Sequence, residues 1–486
     1  MSETVHIEEA VSVTAGGKKP LYAPRVAVHP KRVDGVFRRL KWVALIVLLA
    51  IYYTVPWIRF DRGPGAPDQA ILIDLPARRA YFFWIEIWPQ EVYYITGILI
   101  VAAIALFLMT SVAGRIWCGY ACPQTVWTDL YMLVERWIEG DRNARIKLDK
   151  APWTGSKIGK RAAKHAVWIV IAALTGGAWV LYFTDAPTVV YDIFHLQASS
   201  AVWATIGLLT CTTYLLAGHA REQVCTYMCP YARFQGAMLD EHSLVVTYER
   251  WRGEPRGHHK TGESWEGRGH CVACNNCVAV CPTGIDIRDG QQLECIGCGL
   301  CIDACNAVMD KVGLPRDLIA FDTDANQQAR AAGQPPRYRL IRPRTVIYSL
   351  LLAVVGGLML YGLITRPNFS MNVIRDRSPL FVALHDGSIR NAYTVKILNK
   401  HRVPTEFDLA AGGIDGIDLR VVSENEEPEE DLELHADADT VTQFRVFVHV
   451  PRDKLSRTST PLHLTLRDKE SGETVSYDTV FIGPAR

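Results

Sequence analysis

At 486 residues the chain has room for more than one domain, and its 49% hydrophobic content is high for a water-soluble protein. Its 52 lysines and arginines nearly balance 51 aspartates and glutamates, so the whole-chain charge points to neither nucleic acid nor an acidic partner. Thirteen cysteines, clustered and ending at Cys305, have the spacings of metal ligation and not of a disulfide framework.

In chain order, an N-terminal segment (1–39) carries Lys31, Arg32, Arg38 and Arg39 ahead of the first apolar run, 40–58. No small-residue cleavage site follows that run, so it reads as a retained anchor. Further runs at 92–113, 166–183, 198–217 and 345–365 each have about the length that a bilayer core of ~30 Å demands of a helix. The expected plan is four spans within 40–218 around a loop at 114–164, a segment at 219–343, a fifth span at 344–365 and a last domain at 366–486. The 114–164 loop holds Arg142, Arg145, Lys147, Lys150, Lys157, Lys160 and Arg161, whereas the loop around Asp185 and Asp192 has no lysine or arginine. Positive-inside logic then puts the N-terminus, 114–164 and 219–343 in the cytoplasm, and 366–486 outside. Tyr81, Phe82, Phe83, Trp84 and Trp88 read as an aromatic belt on that outer side. Past residue 368, short alternating stretches at 393–398, 444–450 and 462–466, with a hairpin into 474–482, predict a cysteine-free β-sandwich.

One internal repeat stands out. The second run leads into Arg115-Ile116-Trp117-Cys118-Gly119-Tyr120-Ala121-Cys122-Pro123-Gln124, and the fourth into Cys225-Thr226-Tyr227-Met228-Cys229-Pro230-Tyr231. Proline at the first helical position makes Cys122 and Cys229 expected N-caps, where a helix N-terminus favours a thiolate. If the repeat is pseudo-symmetric, Cys118, Cys122, Cys225 and Cys229 converge at one cytoplasmic-face site, a candidate for copper or an additional redox metal, since soft thiolates select copper(I), zinc or iron–sulfur clusters. The plain alternative is four buried structural thiols.

The strongest pattern is Cys271-x-x-Cys274-x-x-Cys277-x-x-x-Cys281-Pro282, repeated as Cys295-x-x-Cys298-x-x-Cys301-x-x-x-Cys305, within a domain expected at about 262–315. This is the bacterial two-cluster ferredoxin run, in which the fourth cysteine of each run ligates the other cluster. Two 4Fe–4S clusters follow, one on Cys271, Cys274, Cys277 and Cys305, the other on Cys295, Cys298, Cys301 and Cys281. Small residues Ala273, Gly297 and Gly299 let the backbone coil closely around them. Asn306 stands where proline is usual, which leaves the local turn open. Tetrahedral zinc would need only four ligands and not a doubled set. Cys211 reads as a packing residue, and His219 and His270 as ordinary interfacial histidines beside the cysteine motifs. Without C-x-x-C-H, a Walker loop or G-x-G-x-x-G, the sequence gives no sign of c-type haem, nucleotide-driven pumping or a Rossmann-bound nicotinamide.

Taken together, these pieces resemble the FixG/CcoG family of accessory proteins for cbb3-type cytochrome c oxidase. The resemblance rests on Asp74-Leu75-Pro76-Ala77-Arg78-Arg79, Trp88-Pro89-Gln90, the run from Gly114 to Trp127 and Glu135-Arg136-Trp137-Ile138-Glu139-Gly140-Asp141-Arg142. It implies an α-helical protein of the bacterial inner membrane with a ferredoxin insert and an external immunoglobulin-like domain. It also implies reduction of Cu(II) to Cu(I), with copper ion, oxidase subunits or copper-delivery proteins and membrane lipid as partners. The electron donor is not written in the sequence. Two other classes stay open: a quinol-linked polyferredoxin conduit without copper, and a non-catalytic assembly scaffold.

Overall fold

The protein's structure, a computed structural model, describes residues 8, 10, 27–63, 65–259, 263–422, 433–455 and 457–484. The rest of the N-terminal segment and the expected cluster-domain boundary at 262 lie outside the described residues. Two compact units emerge, Met1–Arg62 with Pro67–Met359, and Gly63–Ala66 with Leu360–Arg486.

The first unit opens with α1 (Val36–Thr54) and a small antiparallel sheet of β1 (Ile71–Asp74), β2 (Arg79–Phe82) and β3 (Ile85–Ile87). Helices α2 (Tyr93–Ala113), α3 (Ile116–Tyr120), α4 (Pro123–Glu139), α5 (Arg142–Lys150), α6 (Gly155–Val180), α7 (Ala186–Phe194) and α8 (Ser200–Thr213) follow. Two π-helical turns, Tyr214–Ala220 and Val224–Met228, lead into α9 (Pro230–Met238). The cluster region then builds on a two-stranded sheet of β4 (Val245–Tyr248) and β5 (Ile319–Asp322), with α10 (Arg250–Gly253), α11 (Asn276–Ala279) and α12 (Leu300–Val312) between the strands. Last come α13 (Asp324–Ala331) and α14 (Pro343–Ile364).

Among the described residues, 5 helices are long and apolar enough to cross a membrane: Val36–Trp57, Pro89–Ala113, Gly155–Val180, Ser200–Ala220 and Pro343–Ile364. The third begins well before the expected residue 166. Thr154 accepts a hydrogen bond from the Lys157 amide at 3.3 Å and caps the helix there, and the lysines and arginines after it are good helix formers. Of the basic residues expected in a loop, Lys157, Lys160 and Arg161 therefore lie in the first turns of α6, while Arg142, Arg145, Lys147 and Lys150 lie in α5. Packing within the bundle is close. Tyr131 of α4 stacks on Trp168 of α6 at 5.1 Å, and at Gly176 a Cβ would lie 2.9 Å from the Ile206 carbonyl of α8, so only glycine permits that approach.

The aromatic belt needs correction. Tyr81 and Trp88 are buried in and beside the small sheet, Trp88 under the Arg79 guanidinium at 3.8 Å, while Phe83 and Trp84 are exposed. Ala80 and Tyr81 of β2 are both buried, so only part of this aromatic stretch is available to an interface.

In the second unit, β6 (Phe369–Arg375), β7 (Val382–Ala383), β8 (Ser388–Asn399), β9 (Thr405–Gly412), β10 (Asp418–Val422), β11 (Glu433–Ala436), β12 (Thr440–Pro451), β13 (Ser459–Asp468) and β14 (Thr474–Ile482) form two antiparallel sheets. One is ordered β10-β12-β8-β6 with β7 on β8, the other β11-β9-β13-β14. Alternate residues of β8 face inward, and the core of Phe369, Tyr393, Phe407, Leu464 and Phe481 is sealed from solvent. The expected hairpin is present as β13–β14, with Leu462 opposite Thr479. The chain is thus an α-helical membrane protein with a ferredoxin-like insert and an immunoglobulin-like β-sandwich.

Candidate iron–sulfur and thiol site

The two cysteine runs fold against each other so that each lends one thiol to its partner. One cavity, with about 340 Å³ of empty volume, is lined by Cys271, Cys274, Cys277 and Cys305 and walled by Val308, Met309, Leu318 and Ile319. The other, about 360 Å³, is lined by Cys281, Cys295, Cys298 and Cys301, with Cys277 at its edge. Electrostatics sorts the sulfurs the same way. Burial raises the Cys305 thiol, and the neighbours that raise it further are Cys277, Cys274 and Cys271. Burial likewise raises Cys301, with Cys298, Cys295, Cys281 and Cys277 adding to it. Cys277 and Cys295 are each pushed up to about 12, in both cases first by burial.

Buried thiols whose thiolates would repel one another have a use where a cationic centre stabilises the thiolates. Among the described residues no three His, Cys, Asp or Glu side chains converge tightly enough to hold a single metal ion. The sulfurs instead surround cavities, which fits a cluster better than a lone ion. The residues present therefore fit 4Fe–4S groups.

The backbone achieves this coiling with left-handed residues at matching places. Ala273 (φ 52°) and Asn275 (φ 56°) in the first run correspond to Gly297 (φ 65°) and Gly299 (φ 72°) in the second. Glycine adopts this conformation freely and asparagine tolerates it, whereas alanine is strained by about 1 kcal/mol. Asn275 was not singled out in the sequence, although its alignment with Gly299 was the available signal. Asn306 causes no break: α12 runs through it, and its side chain exchanges hydrogen bonds with Asp317 at 3.0 and 2.8 Å.

The two membrane-proximal turns share three features, although the first is α-helical at Ile116–Tyr120 and the second π-helical at Val224–Met228. Cys122 and Cys229 are N-caps of α4 and α9, each with proline next, and neither side chain makes a capping hydrogen bond. In both turns the second cysteine donates its amide five residues back, Cys122 to Trp117 at 2.9 Å and Cys229 to Val224 at 2.7 Å. Four residues before the first cysteine, the chain turns through a positive φ in both copies, at Gly114 (58°) and at Arg221 (43°).

The four thiols lie within each other's electrostatic reach. Burial, then Cys122, raises Cys118 to about 11, with Cys229 contributing, while Arg115 and Gln235 act the other way. Burial raises Cys225 to about 12, with Cys122, Cys118 and Cys229 adding to it.

This thiol group packs directly on the second cluster run. Cys118 and Cys225 join the apolar cluster of Ile296, Cys298 and Leu300, and the Tyr120 hydroxyl donates to the Cys298 carbonyl at 3.0 Å. Arg115 donates to the carbonyls of Leu293, Cys295 and Ala232, tying both membrane turns to the run. Cys118 Sγ donates to Gln235 Oε1 at 3.2 Å. Sequence reasoning missed Arg115, Tyr120 and Gln235, because their roles come from contacts over 100 residues away in the chain. His219 stacks on His165 at 5.8 Å and His270 lies edge-on to Trp265 at 6.1 Å; neither lines a cysteine cavity. Cys211, expected to pack inside, is exposed on α8, where a small apolar thiol suits lipid.

Comparisons with known families agree with this geometry. A 4Fe-4S dicluster domain model matches residues 220–324, a 4Fe-4S binding domain model matches 95–141, and the model for the IG-like fold at the C-terminal of FixG matches 359–484. Five apolar helices and these domains define a multi-pass membrane iron–sulfur protein of electron transfer. Nitrogen fixation protein FixG of Rhizobium meliloti is 49% identical, over 95% of this chain and 94% of its own. Protein RdxA of Cereibacter sphaeroides is 47% identical, over 96% and 99%. Among solved structures, a FixG-related protein from Vibrio parahaemolyticus matches at 24% identity and TM-score 0.21, over 24% of this chain and 96% of that one. The chain belongs to the FixG/CcoG family.

Proposed function

We propose that this protein holds one 4Fe–4S cluster on Cys271, Cys274, Cys277 and Cys305 and a second on Cys281, Cys295, Cys298 and Cys301, both in the cytoplasm, and reduces Cu(II) to Cu(I) for assembly of a cbb3-type oxidase. The observation that carries this reading is the packing of Cys118 and Cys225 on Ile296 and Cys298, which sets soft thiols beside a one-electron centre. A 4Fe–4S cluster supplies one-electron transfer when bound. Cu(II) is the substrate and Cu(I) the product, one electron per ion from the cluster, and the thiols that hold the copper release their protons to solvent as they ligate it. The apolar walls of the second cavity keep water from its sulfurs, and Arg115 and Tyr120 fix its backbone to the membrane turns. Cys118, Cys122, Cys225 and Cys229 receive the copper in this scheme and close around it as it binds, since without it no three of them converge tightly enough to hold an ion.

Replacing Cys122 and Cys229 together by serine is expected to abolish Cu(I) retention while leaving about eight iron atoms per chain. Replacing Cys274 and Cys298 should remove the reductant instead. Full copper reduction and retention in the first double variant would reject the copper site. A second reading, in which the membrane thiols carry iron themselves, is favoured by the 4Fe-4S binding match over 95–141; loss of iron from the first double variant would select it. The cytoplasmic placement follows from the basic residues between 142 and 161. Reporter fusions after Ala217 should read cytoplasmic and after Asn368 periplasmic, and the reverse at either junction would refute it.

A further inference from the structure

A separate cavity, with about 1370 Å³ of empty volume, opens where the basic first turns of α6 meet α5 and the π-helical turn before Arg221. Its lining holds five fixed cations, Arg145, Lys157, Arg161, Lys164 and Arg221, against two carboxylates, Glu135 and Asp149. Glu139 adds one more negative charge behind the wall, 3.0 Å from both Arg161 and Lys164. Three carboxylates against five cations leave an excess of positive charge in a partly enclosed space.

The decisive residue is Arg145, which is 2% exposed. Its Nη2 lies 2.6 Å from Glu135, and its Nε only 4.0 Å from Glu139. Among the described residues neither Nε nor Nη1 finds a hydrogen-bond partner, and the same is true of His29 Nδ1 in the same lining. Burial pushes the arginine down from its usual range, with Arg221 adding to the effect while Glu135 and Glu139 resist it. A buried charged donor without an acceptor is costly, and a guanidinium presents paired N–H groups that match the oxygens of a phosphate. Trp168 and Trp153 form apolar wall, with Lys164 and Lys157 each 4.9 Å from the respective ring. Cations in the opening turns of a membrane span lie at headgroup depth.

We propose that this cavity binds a phosphate group, whose oxygens accept from the Nε and Nη1 N–H groups of Arg145 and which Lys157, Arg161 and Arg221 surround, supplied by a phospholipid headgroup or by a soluble phosphate. The site touches the redox region through Arg221, which also lines a smaller cavity with Cys225, Thr283 and Ile296. Its occupant therefore stands next to the turn that carries Cys225.

The test uses the full chain, purified in detergent with its iron retained and stripped of lipid. Native mass spectrometry and calorimetry would follow titration with short-chain phosphatidylglycerol, with a diacylglycerol of the same chains lacking phosphate, and with inorganic phosphate. Binding of phosphatidylglycerol alone identifies a headgroup site; binding of inorganic phosphate identifies a soluble ligand; both support the proposal. Arg145→Lys keeps a cation for Glu135 but not the fork, and should weaken the phosphate probe about tenfold with iron content unchanged. Arg161→Gln, at a more open position, should weaken it in the same direction, and decides the matter if Arg145→Lys does not fold. Failure of both phosphate probes to bind, equal binding of the diacylglycerol, or unchanged affinity in the folded variants would overturn it.

Discussion

Gly119 lies between the two cysteines of the first membrane turn, and a Cβ there would sit 3.0 Å from backbone atoms of Ile296, Gly297 and Cys298. All three neighbours are main chain, so nothing flexible can yield. Gly119→Ala should force the second cysteine run away from the membrane turn at a cost of about 1–3 kcal/mol. The expected signature is a perturbed paramagnetic resonance of the second centre with the Cys271–Cys305 centre intact; identical spectra would show that the contact is slack. At this scale the two cavities, each lined by three cysteines of one run and the last of the other, were legible because the spacing within each run is local. Gly119 and Arg115 were visible as letters of a motif but not as contacts, since what they touch lies far along the chain.

Helix α1 is finished by a residue from the cluster region. Its N-cap, Gly35, has no side chain, and Asp303 of α12 takes that part, accepting from the amides of Phe37 at 3.3 Å and Arg38 at 2.8 Å. One turn on, Asp129 of α4 pairs with Arg38 at 3.0 Å and Lys41 at 3.8 Å, all buried. Burial opposes the Asp129 charge, but Lys41 and Arg38 outweigh it and hold its carboxyl below the usual range. A carboxyl depressed in the folded state contributes stability above its unfolded pKa, about 4, and loses it as pH falls through the folded value. Asp129→Asn leaves two buried cations unpaired and should cost about 3–5 kcal/mol at pH 7. The gap between parent and variant should narrow in thermal unfolding below pH 4; a gap independent of pH would mean that the pair is not the cause. The five spans were readable from apolar runs alone, whereas the start of α6 was not. Lysine and arginine end an apolar run without ending a helix, and only the Thr154 cap marks the true beginning.

Taken whole, the chain joins an iron–sulfur unit to a β-sandwich. The β-sandwich has its own core across two sheets and, like all of the chain after Cys305, no cysteine. Period-2 alternation and turn-rich breaks made it legible, because both are properties of neighbouring residues; the pairing order of nine strands was not, because it depends on partners far apart in sequence. A domain that buries its apolar face against itself should fold when cut free. Residues 368–486 alone are therefore expected to unfold in one cooperative transition in water, at a temperature unchanged by reductant or iron chelator. Leu464, fully buried in the core, supplies the control. Leu464→Ala should lower the stability of the fragment by about 2–5 kcal/mol, and in the full chain it should leave the iron content at the parental value. A fragment that does not fold, or iron lost along with the Leu464 side chain, would show that the sandwich and the cluster region stabilise each other.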